Sequence, residues 1–420
     1  MSTAETADVV VIGAGAAGLM TSIACARLAS GARVVCVDGA RAIGAKILVS
    51  GGTRCNVTNR VVDERDFWGG SPRVVRSVLR AFSAARAAAF FGEIGVPLHE
   101  EEDGKLFPDT NRARTVLDAL LRECARTRVD VRAGHRVVAL AREHDGFVVE
   151  TPHMRWRAPV VALATGGRSL PKSGSDGFGY SLAAALGHGH VQTTPALVPL
   201  VLGTDALTRL SGVAHPAAVI VRVERLAPVT LTGSLLWTHF GASGPVVLNA
   251  SRHWHRAVVE RRPVHVSVRV CPGHTFESLE EWWGAALSER PRATVTAALA
   301  RLLPASVAET WAAIAGVESV RTLAHLERDE RRGLVRALLD TPLDVRDSRG
   351  YNYAEVTAGG VPLTEIDPAT MESRVCPGLY LVGEMLDVDG RIGGFNFQWA
   401  WSSGWVAGTA MARTLASPGA

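Results

Sequence analysis

The chain has 420 residues, which is long enough to build two or three hydrophobic cores. Hydrophobic residues make up 47% and charged residues 20%, the balance of an ordinary soluble protein. The net charge of +4 is small for this length and does not by itself indicate a nucleic-acid partner. The six cysteines include no C-x-x-C pair, so neither a disulfide framework nor a zinc site is predicted.

An apolar stretch from Val9 to Leu28 has the composition of a signal peptide or a membrane span. The residues before it include Glu5 and Asp8 and no basic residue, and glycines and Arg27 interrupt the apolar run. We therefore predict a cytoplasmic protein with no membrane segment.

The first third of the chain predicts a strand, a helix, a second strand and a glycine-rich loop over residues 8–60. Residues 72–128 are predicted to be mainly helical, and the charged segment 100–108 predicts a hairpin tip. Strands follow at about 129–140 and 147–157. A fully apolar strand then runs from Val160 until glycines end it at Gly166.

Short β-branched runs from about 193 to 270 predict a separate β domain, and residues 275–343 show helical periodicity. Strand-like segments return at Ala354 and Gly378, and the last helix is predicted from about Phe395 to Leu415. We predict an α/β protein with a Rossmann-like nucleotide-binding domain built from both ends. The predicted boundaries are 1–192 and 345–420 for that domain, 193–272 for an inserted β-barrel-like domain and 273–344 for an inserted helical domain.

The segment from Arg252 to Arg269 is more basic than the rest, with five arginines and three histidines against one glutamate. We interpret it as a solvated strand pair. If it instead binds RNA, reversing the charge at Arg252, Arg256 and Arg261 should weaken binding and flatten its salt dependence.

The segment that begins at Asp8 carries the strongest local signal, G-x-G-x-x-G after an apolar strand. Gly13 allows the tight turn, Gly15 lets the backbone approach phosphates, and Gly18 lets the helix pack on the strand. The helix N-terminus favours the negative pyrophosphate. Asp38 ends the next strand, twenty residues after Gly18, where a ribose hydroxyl would be held. Both NAD and FAD fit this pattern.

Three further segments favour FAD. A strand ending in Ala164-Thr165-Gly166 is typical of flavoproteins of the glutathione-reductase class. Gly383-Glu384 follows another apolar strand, in the place of a second flavin motif whose carboxylate accepts a hydrogen bond from the ribityl chain. Residues 393–396 then open a helix whose positive end would stabilise charge on the reduced flavin.

Long strings of this sequence resemble the BaiN-like, or aminoacetone-oxidase-like, flavoprotein family. They begin at Lys46 (KILVSGGTRCNVTN), Ala164 (ATGGRSLPKSGSDG) and Gly383 (GEMLDVDGRIGGFNFQWA), and a further family motif is THFGASGP from Thr238. The resemblance spans nearly the whole chain and implies a three-domain fold with non-covalent FAD. Ala45 stands where the family often has a basic residue, so Ala45 is not an expected ligand.

The motifs and the resemblance together imply a set of cofactor-binding residues spread over both ends of the chain. The expected FAD contacts are Gly13, Gly15, Ala16, Ala17, Gly18, Asp38, Lys46, Gly51, Gly52, Asn56, Val137, Thr165, Gly166, Gly383, Glu384, Asp389, Gly394, Phe395 and Asn396.

Candidate catalytic groups are His239, Cys55 and Lys172. His239 lies in a glycine-shaped motif and is the best candidate acid, with a structural histidine as the alternative. Cys55 has no partner cysteine nearby, and packing or hydrogen bonding is favoured over a redox role. Lys172 would contact the ribityl chain or the substrate, unless it is a surface residue. No metal site is predicted, because the paired histidines lack further ligands.

Three functions remain open. In the first, NADH or NADPH reduces the flavin transiently and a conjugated C=C bond is then reduced, in a small molecule or in ribosomal RNA, as the resemblance implies. In the second, a small amine such as aminoacetone is oxidised at the expense of oxygen. In the third, the flavin acts as a redox sensor in a binding protein. No second dinucleotide motif is present, and the sequence does not predict the oligomeric state.

Overall fold

The computed structural model of the protein describes residues 3–203 and 205–416. Its strands, in chain order, are β1 Thr3–Thr6, β2 Val9–Ile12, β3 Val34–Val37, β4 Thr58–Asn59, β5 Phe67–Gly69, β6 Leu98–Glu100, β7 Lys105–Pro108, β8 Asp130–Arg132, β9 Ala139–Glu143, β10 Gly146–Glu150, β11 Met154–Ala158, β12 Val160–Leu163, β13 Val191–Ala196, β14 Leu200–Leu202, β15 Ala214–Val223, β16 Val229–Thr238, β17 Gly241–Ser243, β18 Val264–Arg269, β19 Thr341–Leu343, β20 Val345–Ser348, β21 Val356–Gly360, β22 Leu379–Leu381 and β23 Val388–Gly390.

The α-helices, in chain order, are α1 Ala16–Leu28, α2 Ala45–Thr53, α3 Pro72–Ala81, α4 Ala84–Glu93, α5 Ala113–Arg126, α6 Phe178–Ala185, α7 Asp205–Thr208, α8 Pro245–Val259, α9 Phe276–Glu289, α10 Val295–Leu299, α11 Ala305–Ile314, α12 Arg328–Leu339 and α13 Phe395–Ala416. The chain divides into two compact units. Residues 1–195 and 355–420 form the first unit, and residues 196–354 form the second.

The first unit is organised by a five-stranded parallel sheet in the order β22-β12-β2-β3-β8. Strands β2, β3 and β12 are each buried at all four positions, as expected for a sheet covered on both faces. A four-stranded sheet, β1-β11-β10-β9, lies in the same unit. The predicted Rossmann-type domain is confirmed, and the apolar stretch from Val9 to Leu28 forms β2 and α1.

Helices α1 and α13 bring the two ends of the first unit together. A Cβ at Gly404 of α13 would lie 2.6 Å from the Ala17 carbonyl oxygen, and one at Gly408 would lie 2.2 Å from that of Thr21. Only glycine permits this approach, so small residues in α13 place it directly on the helix that follows the first glycine motif. Among the described residues, no helix is both long and apolar enough to cross a membrane.

The second unit is built on a seven-stranded antiparallel sheet in the order β19-β18-β15-β16-β17-β14-β20. Sheet residues such as Leu235 and Val268 share one hydrophobic core with Trp283 and Trp311 from the helices. The β-rich and helical insertions therefore lie together in one compact unit. Their division into separate domains at residue 272 stays a prediction.

The basic segment 252–269 is not a strand pair, and that interpretation is wrong. Residues up to Val259 belong to α8, and only Val264–Arg269 forms a strand. Helix α8 buries Ala250, Trp254 and Ala257 against the sheet, at the three-to-four-residue spacing of a helix. Tertiary packing overrides the strand preference of its valines.

Candidate functional site

The turn between β2 and α1 uses its three glycines in different ways. Gly13 has φ +108°, and a Cβ there would lie 2.4 Å from the Ala164 carbonyl oxygen. A Cβ on Gly18 would lie 1.8 Å from the Gly13 oxygen, so both positions require glycine for packing. No atom lies within 4 Å of a Cβ built on Gly15. The backbone is therefore bare at Gly15, where helix α1 begins and where an anion is favoured.

Asp38 ties the end of β3 to this turn. One carboxylate oxygen accepts the Ala14 N–H at 2.7 Å, and the other accepts the Ala40 N–H at 2.8 Å. Each oxygen has two lone pairs, so the carboxylate can still accept a ribose hydroxyl. The acidic residue predicted from the spacing is thus held beside the glycine turn, and its ribose contact stays a prediction.

Glu384 lies at the centre of a polar network that joins three segments. Its carboxylate forms an ion pair with Lys46 of α2, accepts the Ser169 hydroxyl at 2.6 Å and accepts the Thr357 N–H at 3.1 Å. Lys46 Nζ also donates to Ser169 Oγ at 3.0 Å. The two residues expected to bind the flavin from opposite ends of the sequence therefore bind each other.

Helical geometry in α2 breaks down at Ser50, and the backbone enters the left-handed region. Gly51 and Gly52 have φ +54° and +67°, but Thr53 and Cys55 are also positive, at +71° and +63°. Such strain in residues with a Cβ is concentrated at binding sites. A Cβ on Gly51 would lie 2.9 Å from the main-chain nitrogen of Asn56, whereas a Cβ on Gly52 would have no atom within 4 Å.

The residues after this loop contact the second glycine motif. In one orientation of the Asn56 side-chain amide, both its oxygen and its nitrogen form hydrogen bonds. The oxygen accepts the Gly394 N–H at 3.1 Å, and the nitrogen donates to the Thr58 carbonyl oxygen at 2.8 Å. Asn59 donates to the Gly393 oxygen at 3.2 Å. A Cβ on Gly394 would lie 2.6 Å from the Thr58 carbonyl group, so glycine is required there.

The first glycine turn also contacts the second glycine motif, through Ala17 and Gly383. Gly383 has φ +73°, and a Cβ there would lie 2.8 Å from the Ala17 Cβ near the start of α1. Thr165 and Gly166 follow β12, and a Cβ on Gly166 would lie 3.8 Å from Lys46 Nζ. The structure therefore gathers the first glycine turn, the loop after β12 and the second glycine motif in one region.

Several expected cofactor ligands make packing contacts instead of presenting a free side chain. Phe395 is fully buried, 6.2 Å from the Phe67 ring and beneath the Arg391 guanidinium at 4.2 Å. Asn396 closes its own loop by bonding both the N–H and the C=O of Gly390, at 2.8 and 2.9 Å. Their backbones remain at the start of α13, so their expected FAD contact would be through the main chain. Two further expected ligands are also buried, namely Val137 and Asp389.

The three candidate catalytic residues lie in different surroundings. Cys55 is fully buried, and burial raises the pKa of its thiol to about 12, so no thiolate forms near neutral pH. We propose no catalytic role for Cys55. Lys172 is exposed in a short turn of the first unit. His239 belongs to the second unit, where it is exposed after β16 and contacts the Phe240 ring edge to face.

Some basic residues of the segment are buried or paired, whereas Arg261 is exposed, so RNA binding by this segment stays a prediction. Arg252 is buried, and Arg256 is paired with Glu260 at 3.2 Å. Burial lowers the pKa of His253 to about 3 and that of His255 to about 4, so both are neutral at physiological pH. Among the residues described, no cluster of three or more histidine, cysteine or acidic side chains is arranged to hold a metal ion.

Sequence reasoning missed Ser169, Thr357 and Asn59, which bind residues of the two motifs. Asn59 belongs to a string that carries the family resemblance, so its position in that string was the available signal. Ser169 likewise lies in the string that begins at Ala164, whereas Thr357 meets Ser169 only through the folding of separate segments and no local pattern marks it.

The parallel sheet, the bare turn at the start of α1 and the second glycine motif packed beside it fit one dinucleotide that carries a flavin. They define a Rossmann-type FAD-binding protein. Residues 7–410 match the family described as the HI0933-like protein Rossmann domain. The chain belongs to this family, which confirms the resemblance seen in the sequence, and it is an FAD-dependent oxidoreductase.

Curated relatives match nearly the whole chain. A 3-dehydro-bile acid delta(4,6)-reductase from Clostridium scindens is 34% identical over 403 residues, covering 96% of this chain and 98% of its own. A ribosomal RNA dihydrouridine synthase from Escherichia coli is 34% identical over 405 residues, covering 96% of this chain and 97% of its own.

Solved structures share the fold at low identity. A quinol fumarate reductase from E. coli has a TM-score of 0.52 at 17% identity and covers 100% of this chain and 72% of its own. A 3-ketosteroid delta1-dehydrogenase from Sterolibacterium denitrificans has a TM-score of 0.51 at 13% identity and covers 98% of this chain and 100% of its own. At these identities the likeness shows the fold alone.

Proposed function

We propose that this enzyme takes electrons from NADH or NADPH and reduces a C=C bond that is conjugated to a carbonyl group. The observation that carries the proposal is the shared chemistry of the two relatives described above. A delta(4,6)-reductase of a 3-oxo compound and a dihydrouridine synthase both add two hydrogens to a C=C bond conjugated to a carbonyl. Their substrates differ in size and polarity, so the reaction is the common element.

When bound, FAD would supply a hydride to the carbon remote from the carbonyl, and a proton must reach the other alkene carbon. The chain's part is to hold the cofactor and to manage that proton. The bare turn at Gly15 would hold the pyrophosphate, and Asp38 would hold the ribose. The residues around Gly52 and Gly394 would surround the flavin. We keep His239 and Lys172 as candidate proton donors or substrate contacts.

The proposed source of electrons agrees with what the sequence contains. The sequence has one dinucleotide motif of this type, so the nicotinamide cofactor would dock only transiently. The two electrons lost by NAD(P)H equal the two gained by the C=C bond, and no oxidant such as oxygen is required.

We also propose a cytoplasmic location. Support comes from cysteines that are all free and buried among the described residues, as in a reducing compartment.

An anaerobic stopped-flow experiment tests this function. NADH or NADPH is mixed with the purified yellow protein, and the loss of the flavin's visible absorption is followed. The reduced enzyme is then mixed with a steroid-like enone, a uridine-containing RNA or oxygen. The proposal predicts fast reoxidation by an enone or by uridine and slow reoxidation by oxygen. Bleaching by aminoacetone with hydrogen peroxide release would show an amine oxidase instead, and no response to any of these would leave a redox sensor.

A further inference from the structure

The second unit carries a series of planar side chains in contact with one another. The Arg349 guanidinium lies 3.7 Å from the centre of the Tyr353 ring and 4.6 Å from that of Phe240. Phe240 contacts the His239 ring edge to face, with 5.0 Å between the centres. We call these four residues the planar stack.

The topology of the sheet explains why residues so far apart in sequence meet. His239 and Phe240 form the turn between β16 and β17, whereas Arg349 and Tyr353 follow β20. The antiparallel registers place the β16–β17 turn beside Leu202, at the end of β14, and the segment after β20 beside Leu200, at its start. Because β14 has only three residues, the Arg349 side chain still reaches the Phe240 ring. A hydrogen bond from the Arg349 N–H to the Pro199 oxygen, at 3.0 Å, fixes the second connection to the chain just before β14.

One side of this group of residues is open to solvent. Tyr353 is 52% exposed, which leaves an aromatic surface in contact with water. Within the described parts of the chain, no carboxylate lies within 4.0 Å of the Arg349 guanidinium. Other arginines of the second unit, such as Arg222 and Arg331, have such a partner. The planar stack therefore places the exposed Tyr353 ring beside the Arg349 guanidinium, which has no carboxylate partner among the described residues.

We propose that the planar stack binds single-stranded RNA, with a base stacked on Tyr353 and the neighbouring phosphate paired with Arg349. This inference rests on the proposed function, because it selects uridine in RNA as the source of the conjugated C=C bond. A base offers a flat π face, and stacking on aromatic and guanidinium planes is how proteins hold unpaired bases. A guanidinium also matches phosphate geometry. A steroid-like substrate offers a curved aliphatic face, which gains little from this stack.

The test uses the FAD-loaded enzyme and a fluorescent single-stranded oligonucleotide that contains uridine, with binding followed by anisotropy. Tyr353→Ala should weaken binding by about 5- to 100-fold, the range for loss of one stacked base, whereas Tyr353→Phe should bind as the wild type does. Arg349→Met should weaken binding and reduce the slope of log K against log salt by about 1.

Matched controls lie in the same unit, at the turn after β15. Leu226 is 56% exposed, and the Arg225 side chain is 87% exposed. Leu226→Ala and Arg225→Met should leave both affinity and salt slope unchanged. Bound FAD and the midpoint of thermal unfolding report whether each variant is folded.

The outcomes separate this inference from the proposed function. Equal RNA affinity in Tyr353→Ala and the wild type would overturn the planar stack as a binding site. So would a wild type that reduces a soluble enone but binds no RNA, and the proposed function would then stand. If the stack variants lose RNA affinity as expected while the reduced flavin reacts with neither enone nor uridine, the stack stands and the proposed function fails.

Discussion

The Lys46 ammonium and the Glu384 carboxylate form an ion pair, although 338 positions separate them in the chain. Their side chains are 25% and 16% exposed, so water compensates each charge only in part. Ser169 and Thr357 satisfy the other carboxylate oxygen. Removing one partner would leave the other as a poorly hydrated, unpaired charge. The loop that begins in α2 and the second glycine motif are therefore coupled energetically.

The first prediction concerns this coupling. Lys46→Met and Glu384→Gln should each weaken FAD binding by roughly 10-fold, about 1.4 kcal/mol, because each disorders the segments that the pair joins. The double variant should lose less than the sum of the two, since no unpaired charge remains. Fluorescence titration of the apoproteins with FAD measures all four affinities.

A surface pair provides the control for that cycle. Lys105 Nζ lies 3.0 Å from Asp103, whose side chain is 74% exposed, so Lys105→Met should leave FAD affinity unchanged. Strictly additive effects at Lys46 and Glu384 would contradict the coupling. They would mean that Glu384 acts on the cofactor independently of Lys46.

The second prediction concerns Gly15, where a substitution should weaken FAD binding without lowering the stability of the apoprotein. Gly15 has φ −83°, which alanine adopts readily, and its added methyl would enter the open space at the start of α1. Gly15→Ala should therefore change the free energy of unfolding of the apoprotein by no more than about 0.5 kcal/mol. Its FAD affinity should fall by roughly 10-fold or more, because the methyl prevents close approach of the pyrophosphate.

Two other glycines make this prediction specific. Gly18→Ala should destabilise the apoprotein itself, because its Cβ would overlap the Gly13 oxygen at 1.8 Å. Gly31 lies in an exposed turn with no atom near its Cβ position, and Gly31→Ala should affect neither property. Urea unfolding and FAD titration give both quantities. Normal FAD affinity in Gly15→Ala would show that the phosphates do not approach this turn.

Cys55 yields a third prediction. Because burial raises the pKa of its thiol to about 12, iodoacetamide should not label it in the native protein at pH 8. Cys55→Ala should keep the same dependence of flavin reoxidation on pH as the wild type, and it should lose about 1 kcal/mol of stability through the lost packing. Rapid labelling of Cys55, or loss of a titration step in the variant, would restore the thiol as a catalytic candidate.

The sequence predicts the parts of the fold that depend on local pattern. The strand, glycine turn and helix from Val9 to Leu28 are one example, and the last helix from Phe395 is another, because in both the signal is contiguous. The partner of Glu384 could not be predicted, since its contact with Lys46 forms only when distant segments pack. Helix α8 could not be predicted in the same way, because Val258 and Val259 favour strands and the packing of Trp254 that stabilises the helix is tertiary.

The last prediction is a pH dependence in the second unit. Burial lowers the pKa of His255 to about 4, an effect that the nearby Asp347 charge only partly opposes, and Nε2 contacts Ser348 Oγ at 2.8 Å. In the unfolded chain a histidine titrates near pH 6.5. The unfolded state therefore binds more protons between those values, and stability rises with pH through that window. His255 should contribute roughly 2–3 kcal/mol above pH 6.5 that is lost by pH 4.

Two measurements check this contribution. In the native wild type, the His255 ring resonances should show no titration step between pH 5 and pH 8. His255→Gln keeps a polar group beside Ser348 but does not titrate there, so its unfolding midpoint should fall less steeply than that of the wild type between pH 6.5 and pH 4. His265 is exposed on β18, and His265→Gln is the matched control that should retain the full wild-type slope. An unchanged slope in His255→Gln, or a native titration near pH 6.5, would mean that water reaches this ring and that burial does not hold it neutral.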